Sequence, residues 1–230
     1  MVPYPGEPDD ANDGAPLDPA QSAALIAEQR ARWAAATGVD ARLLFGVWGG
    51  ACLLGFGAEY SVATDPPLLG WPGWVAGVVF AGLLATAMVI NIVHIAVRTA
   101  GVRGVSANAG AMYGWAWFGS FAGIGALSFG LARAGASPDV TKLVMTTAPL
   151  LIVGALNMAG AAIWQDRTQF ALGAWILIVT TIGAIVGAPH MLAVLSLAGG
   201  GGLLVGALAD AIRVRRAVAW ASDAPGRAAV

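Results

Sequence analysis

Residues 74–97 read WVAGVVFAGLLATAMVINIVHIAV, 24 consecutive positions without a charged side chain. At 1.5 Å of rise per residue a helix of that length is about 36 Å long, enough to cross the ~30 Å hydrocarbon core of a bilayer. Lipid offers backbone groups no outside partner, so such a stretch crosses as a helix or inside a closed barrel. No ten-residue segment alternates with period two as a barrel strand would. Five further stretches repeat the helical pattern, at 43–63, 111–132, 143–164, 169–188 and 190–212. The fold class expected is an all-α integral membrane protein with six transmembrane helices.

Composition leads to the same class. Only 11% of the 230 residues are charged and 58% are hydrophobic, with mean hydropathy +0.73, whereas a soluble domain is about 25% charged. Those values exclude a secreted disulfide scaffold, a nucleic-acid binder with a basic face and a disordered acidic chain. The single cysteine, Cys52, lies within an apolar run, can form no intramolecular disulfide and reads as a small buried residue. No basic stretch precedes an apolar region at the N-terminus, so the first apolar segment is expected to stay as an anchor.

Orientation follows from the cations. Six spans place both ends on one side, which carries Arg30, Arg32, Arg42, Arg98, Arg103, Arg167, Arg213, Arg215, Arg216 and Arg227, while the other carries only Arg133 and Lys142. The positive-inside rule then puts both termini in the cytoplasm of a cell (plasma) membrane. Trp71 and Trp74 fall at the outer edge, and Trp48, Trp115, Trp117 and Trp164 near the inner one. Eleven arginines against one lysine, with abundant alanine and glycine, suggest a GC-rich bacterial genome.

Four regions are expected. Residues 1–19, rich in Pro, Asp and Gly, form a disordered acidic tail. Residues 20–41 form a cytoplasmic or interfacial helix, with Leu25, Ile26 and Trp33 at helical spacing. Residues 42–213 form the membrane domain, and residues 214–230 a cytoplasmic tail.

Short outer turns (64–73, 133–142 and Pro189) fold the spans into three possible hairpins. Each hairpin opens with a glycine and a nearby tryptophan: Gly46 and Trp48, Gly114 and Trp115, Gly173 and Trp175. Glycines follow at Gly55 and Gly57, at Gly123 and Gly125, and at Gly183. Small residues four apart (Gly46 and Gly50, Gly73 and Gly77, Gly119 and Gly123, Gly183 and Gly187, Gly202 and Gly206) suit close helix packing or an oligomer.

Polar groups at membrane depth are costly, which makes them functional candidates. Asn91 and His94 share a face of span 2, and Asn157 lies at comparable depth in span 4. If the hairpins repeat, they face one central path; otherwise each makes a packing hydrogen bond. Asp210 is placed for an ion pair with Arg213. Glu59 and Tyr60 close span 1 as candidates for an outer mouth, and His190 follows Pro189 at a tight turn. Gly199, Gly200, Gly201 and Gly202 lie nine to twelve residues into span 6. Four glycines in a row invite a break that lines a pathway, the alternative being an unbroken helix with a flat packing face. Pro149 is expected to kink span 4.

Nothing points to catalysis. The two histidines, His94 and His190, are far apart, Ser120 has no histidine at its depth, and no Walker loop occurs. No catalytic residue, metal site or cofactor is expected. The run Arg213, Arg215, Arg216 suits anionic headgroups.

Ala159-Gly160, Trp164-Gln165-Asp166-Arg167, Phe170 and Gly173 together resemble the inner loop of the acetate uptake transporter family. That resemblance, over about 25 residues, implies six spans, cytoplasmic termini and a narrow path for a small solute in a fold of three helical hairpins. The family's Asn-Pro-Ala-Pro-Leu-Gly-Leu opening of the first span is absent; Ala148-Pro149-Leu150 in span 4 echoes it, and Gln165 occupies its acidic position. The substrate is therefore not carried over. The expected function is small-solute transport without nucleotide hydrolysis. The alternative is an accessory or sensory subunit without a pathway of its own. Expected partners are the lipid bilayer and either further copies of the chain or another membrane subunit, with no nucleic acid.

Overall fold

A computed structural model describes residues 18–37, 40–100 and 105–222, and regular structure among them is helical throughout. The chain divides into two compact units, residues 1–39 and 40–230. The first contains α1 (Pro19–Thr37), on which Leu25 and Ile26 are exposed. Most of the acidic tail expected over residues 1–19 lies outside the described residues, as do residues 223–230.

The second unit contains α2 (Ala41–Ala63), α3 (Gly73–Arg98), α4 (Val105–Arg133), α5 (Pro138–Trp164) and α6 (Arg167–Val186). A sixth run joins α7 (His190–Val194), a π-helical segment (Leu195–Gly200) and α8 (Gly201–Ser222). Six helices are long and apolar enough to cross a membrane, and the chain is a multi-pass membrane protein. The helices extend past the apolar stretches because caps, rather than hydropathy, set their ends. The Asp40 carboxylate accepts from the N–H groups of Arg42 and Leu43. Ser137 caps α5 ahead of Pro138, whose missing N–H is no loss in a first turn. Asp166 caps α6 through the N–H groups of Thr168 and Gln169. At the far end, Arg213, Arg215 and Arg216 are good helix formers, and α8 runs on to Ser222, into the stretch expected as the C-terminal tail.

The turn between α5 and α6 is two residues long. Gln165 takes a left-handed conformation, φ 56°, and its N–H and that of Asp166 both donate to the Ala161 carbonyl. This ties off α5 and leaves Asp166 free to open α6. The Trp-Gln-Asp-Arg group quoted above is thus a helix stop joined to a helix start.

The three expected hairpins are unequal. α2 packs on α3 and still more extensively on the sixth run, α5 packs extensively on α6 across the short turn, and α4 touches α5 only lightly. The lateral order is α3, α2, the sixth run, α6, α5, α4. Large apolar side chains cover the flanking helices, with Val97 70% and Met112 73% exposed, a surface matched to hydrocarbon rather than to water.

Glycine decides which backbones approach. A Cβ on Gly173 would lie 2.6 Å from the Gly154 carbonyl oxygen and 2.7 Å from Met158 Cγ, and one on Gly55 would enter the Phe80 ring. By contrast Gly46, Gly50, Gly73, Gly119 and Gly123 have no atom within 4 Å of such a Cβ. Among the four-residue glycine pairs read from the sequence, only Gly202 makes a contact this close. Gly173→Ala should therefore destabilise the protein by about 1–3 kcal/mol through overpacking. Gly123→Ala should be neutral or gain up to about 1 kcal/mol of helix propensity. Thermal unfolding in detergent checks this order, and the reverse order would contradict the packing.

Candidate functional site

The sixth run is where the polar contacts gather. The expected break at Gly199–Gly202 does not occur: the chain stays helical but widens to a π turn, in which the Gly201 N–H donates to the Ser196 and Ala198 carbonyls. The physical reason lies in the neighbours. α2 and α6 press on the turn from two sides and supply contacts that an unwound segment would lose.

Against α2 the contact is backbone to backbone. A Cβ on Gly200 would lie 2.2 Å from the Leu53 nitrogen and 2.8 Å from the Gly49 oxygen, and one on Gly49 would lie 3.0 Å from the Gly200 oxygen. Beside it the Ser196 hydroxyl donates to the Leu53 carbonyl at 2.7 Å. Against α6, Trp175 Nε1 donates to the Ala198 carbonyl at 3.1 Å, and a Cβ on Gly202 would lie 2.5 Å from that same nitrogen. Gly199 makes only ordinary contact, 3.8 Å to Val179, and Gly201 meets no atom within 4 Å. Two of the four glycines are thus demanded by packing and two are not.

The tightest core adjoins the turn, with Phe56, Val179, Met191, Leu192 and Leu195 buried together. Phe56 lies against Phe80, ring centroids 4.6 Å apart. Next to Val179 is Thr180, 1% exposed, whose hydroxyl has no hydrogen-bond partner among the described residues. A buried hydroxyl left unpaired costs about 1–3 kcal/mol and calls for an explanation.

A second polar cluster sits at the arginine-rich end. His94 Nε2, on α3, accepts the Asp40 backbone N–H at 3.0 Å. The Asp40 carboxylate accepts from Arg42 Nε at 3.1 Å and from its terminal nitrogen at 3.0 Å. Arg42 in turn lies within electrostatic reach of Asp210, which is 4.0 Å from Arg213 as the sequence suggests. The Arg42 guanidinium outweighs partial burial and holds the Asp40 carboxyl below its ordinary value of 3.8. His94 thus satisfies a donor ahead of α2 and links α3 to α2 at one end, while Arg42 faces Asp210 of α8.

The remaining candidates are dispersed. Asn157 donates to Val153 of its own helix at 2.8 Å. Asn91 is half-buried on α3, which shares no extensive interface with α5, so Asn91 and Asn157 stand on separate flanks. Glu59 approaches Gly77 of α3, whereas Tyr60 packs on the core and faces the His190 ring at 6.4 Å. A shallow groove of about 350 Å³ runs along α4, lined by Ala111, Gly114, Trp115 and Phe118. Ser196 and Thr180 were not singled out from the sequence, and Trp175 was noted only as a marker of the third hairpin; a serine three residues before the glycine tract was the available signal for the first.

No family model, curated protein or solved structure matches the chain.

Asp40→Asn keeps the cap and removes the charge. Because the folded-state value of Asp40 is depressed, the stability it contributes is present above 3.8 and lost as pH falls through its lower folded value. Wild-type protein should melt above Asp40→Asn at pH 7, and the difference should shrink steadily below about pH 4. Parallel melting curves across that range would remove the charge from the account.

Proposed function

We propose that this chain is a six-span protein of a bacterial plasma membrane, both termini cytoplasmic, that passes a small solute without nucleotide hydrolysis, the path running beside the π turn of its sixth span. The observation that carries this reading is the Thr180 hydroxyl, fully buried and unpartnered, next to the residue that touches that turn. A polar group at membrane depth is costly and marks solute pathways, and π turns within α-helices recur at functional sites. The charge pattern supports the orientation: ten Lys and Arg fall to one side and two to the other.

A second reading, a subunit of a larger membrane assembly, has an observation of its own. α4 packs on α5 alone among its extensive neighbours, and Gly110, Gly114, Gly119, Gly123, Gly125 and Gly130 meet no atom within 4 Å. Six glycines cost helix propensity without returning a close contact inside this chain. Stoichiometric co-purification of a different membrane protein under mild detergent would favour this reading, and a species built of this chain alone the first.

Flux tests the first reading. Proteoliposomes challenged in stopped-flow light scattering with urea, glycerol, acetate and ammonium should exceed protein-free vesicles for at least one solute. Thr180→Val, which keeps the volume and removes the hydroxyl, should change that rate by about threefold or more, the worth of one intramembrane hydrogen bond. Gly123→Ala should leave it unchanged. Rates equal to protein-free vesicles across the panel would overturn transport.

A further inference from the structure

We infer that the π turn Leu195–Gly200 is a register switch, at which the α8 half of the sixth run rotates by one residue relative to α7. A π turn holds one more residue than an α turn, so it is an α-helix with a single residue inserted. When the turn relaxes to α geometry without losing a residue, everything after it advances by about 100° around the helix axis and about 1.5 Å along it.

Three observations place the switch here. The turn lies inside an otherwise continuous helix, with α7 before it and α8 after it. Gly199 and Gly201 have room for a side chain, so packing does not require glycine at either position; what glycine leaves there is backbone freedom. The turn is held by two side-chain hydrogen bonds from separate helices, Ser196 to the Leu53 carbonyl and Trp175 to the Ala198 carbonyl. Each is weak enough to bias the register without locking it. A one-residue advance brings Gly199 under Leu53 and Gly201 under Trp175 in place of Gly200 and Gly202, so the glycine tract leaves both registers free of a side chain at these two close contacts. At the far end of α8, rotation carries Asp210 away from Arg42 and so uncouples it from the cluster that His94 and Asp40 complete.

The test reads distance alone, so it stands apart from any flux result. In a Cys52→Ala background, spin labels are placed at Ile178→Cys on α6 and Leu208→Cys on α8, positions 53% and 62% exposed. Pulsed dipolar spectroscopy in nanodiscs should show a main distance and a minor one displaced by up to about 8 Å, the chord swept by a 100° turn at the helix surface. Ser196→Ala and Trp175→Phe should each raise the minor-to-major ratio about threefold. Deleting Gly201 removes the inserted residue and should leave only the main distance. A single distance in wild type and in both unpinned variants would overturn the switch, as would two distances persisting after the deletion.

Discussion

The backbone contact between α2 and the sixth run is the constraint on which the arrangement rests. Hydrocarbon tails are as apolar as leucine, so helices in a bilayer are drawn together by close van der Waals fit and by hydrogen bonds rather than by exclusion from water. Gly49 and Gly200 allow that fit, and the 2.8 Å separation that a Cβ on Gly200 would have from the Gly49 oxygen leaves no room for any side chain. Once the two backbones meet, the Ser196 hydroxyl reaches the Leu53 carbonyl and the core around Phe56, Met191 and Leu195 closes.

The other contacts extend outward from this pair. α6 adds a second grip through Trp175 and Ala198, and holds α5 through the reciprocal Gly154 and Gly173 contact. α3 is attached by the Phe80 ring over Gly55 and by His94 at the arginine-rich end. α4, furthest from the central pair, is held chiefly by Tyr113, bonded to the Leu156 carbonyl at 2.7 Å and edge-on to the Trp164 ring at 4.9 Å. Burial falls in the same order, from the sixth run at 33% to α4 at 6% of the apolar window. The result is a firm centre with a lightly attached rim.

The six spans were legible because the bilayer imposes length and apolarity together, and residues 74–97 satisfy both. Boundaries were read less well, since hydropathy reports the hydrocarbon and not the caps at Asp40, Ser137 and Asp166. The glycine tract left two outcomes open, a break or an unbroken helix with a packing face, and the segment stays helical. Local propensity favours a break at Gly199–Gly202, while contacts from Leu53 and Trp175, distant in sequence, keep the segment helical. Glycine spacing alone could not separate Gly49 and Gly173, which sit under a neighbouring helix, from Gly46 and Gly123, which do not. Thr180 gave no signal and Ser196 only its place before the glycine tract, because a single hydroxyl in an apolar run usually bonds within its own helix, as Thr147 does to the Leu143 carbonyl at 2.8 Å. His94 was noticed for its depth, and its bond to the Asp40 N–H depends on a helix start 54 residues earlier.

Oxidative cross-linking across the central contact tests it most directly. A Cβ on Gly49 would lie 3.0 Å from the Leu203 Cβ, about 0.5 Å short of the ~3.5–4.5 Å usual for a disulfide, so a slight separation of the two helices lets the thiols join. In a Cys52→Ala background, Gly49→Cys paired with Leu203→Cys should form an intramolecular disulfide in native membranes under mild oxidation, while Gly49→Cys paired with Ala116→Cys on α4 should not. Failure of the first pair to join while the protein remains folded, or equal joining of both pairs, would contradict the contact that holds the fold together.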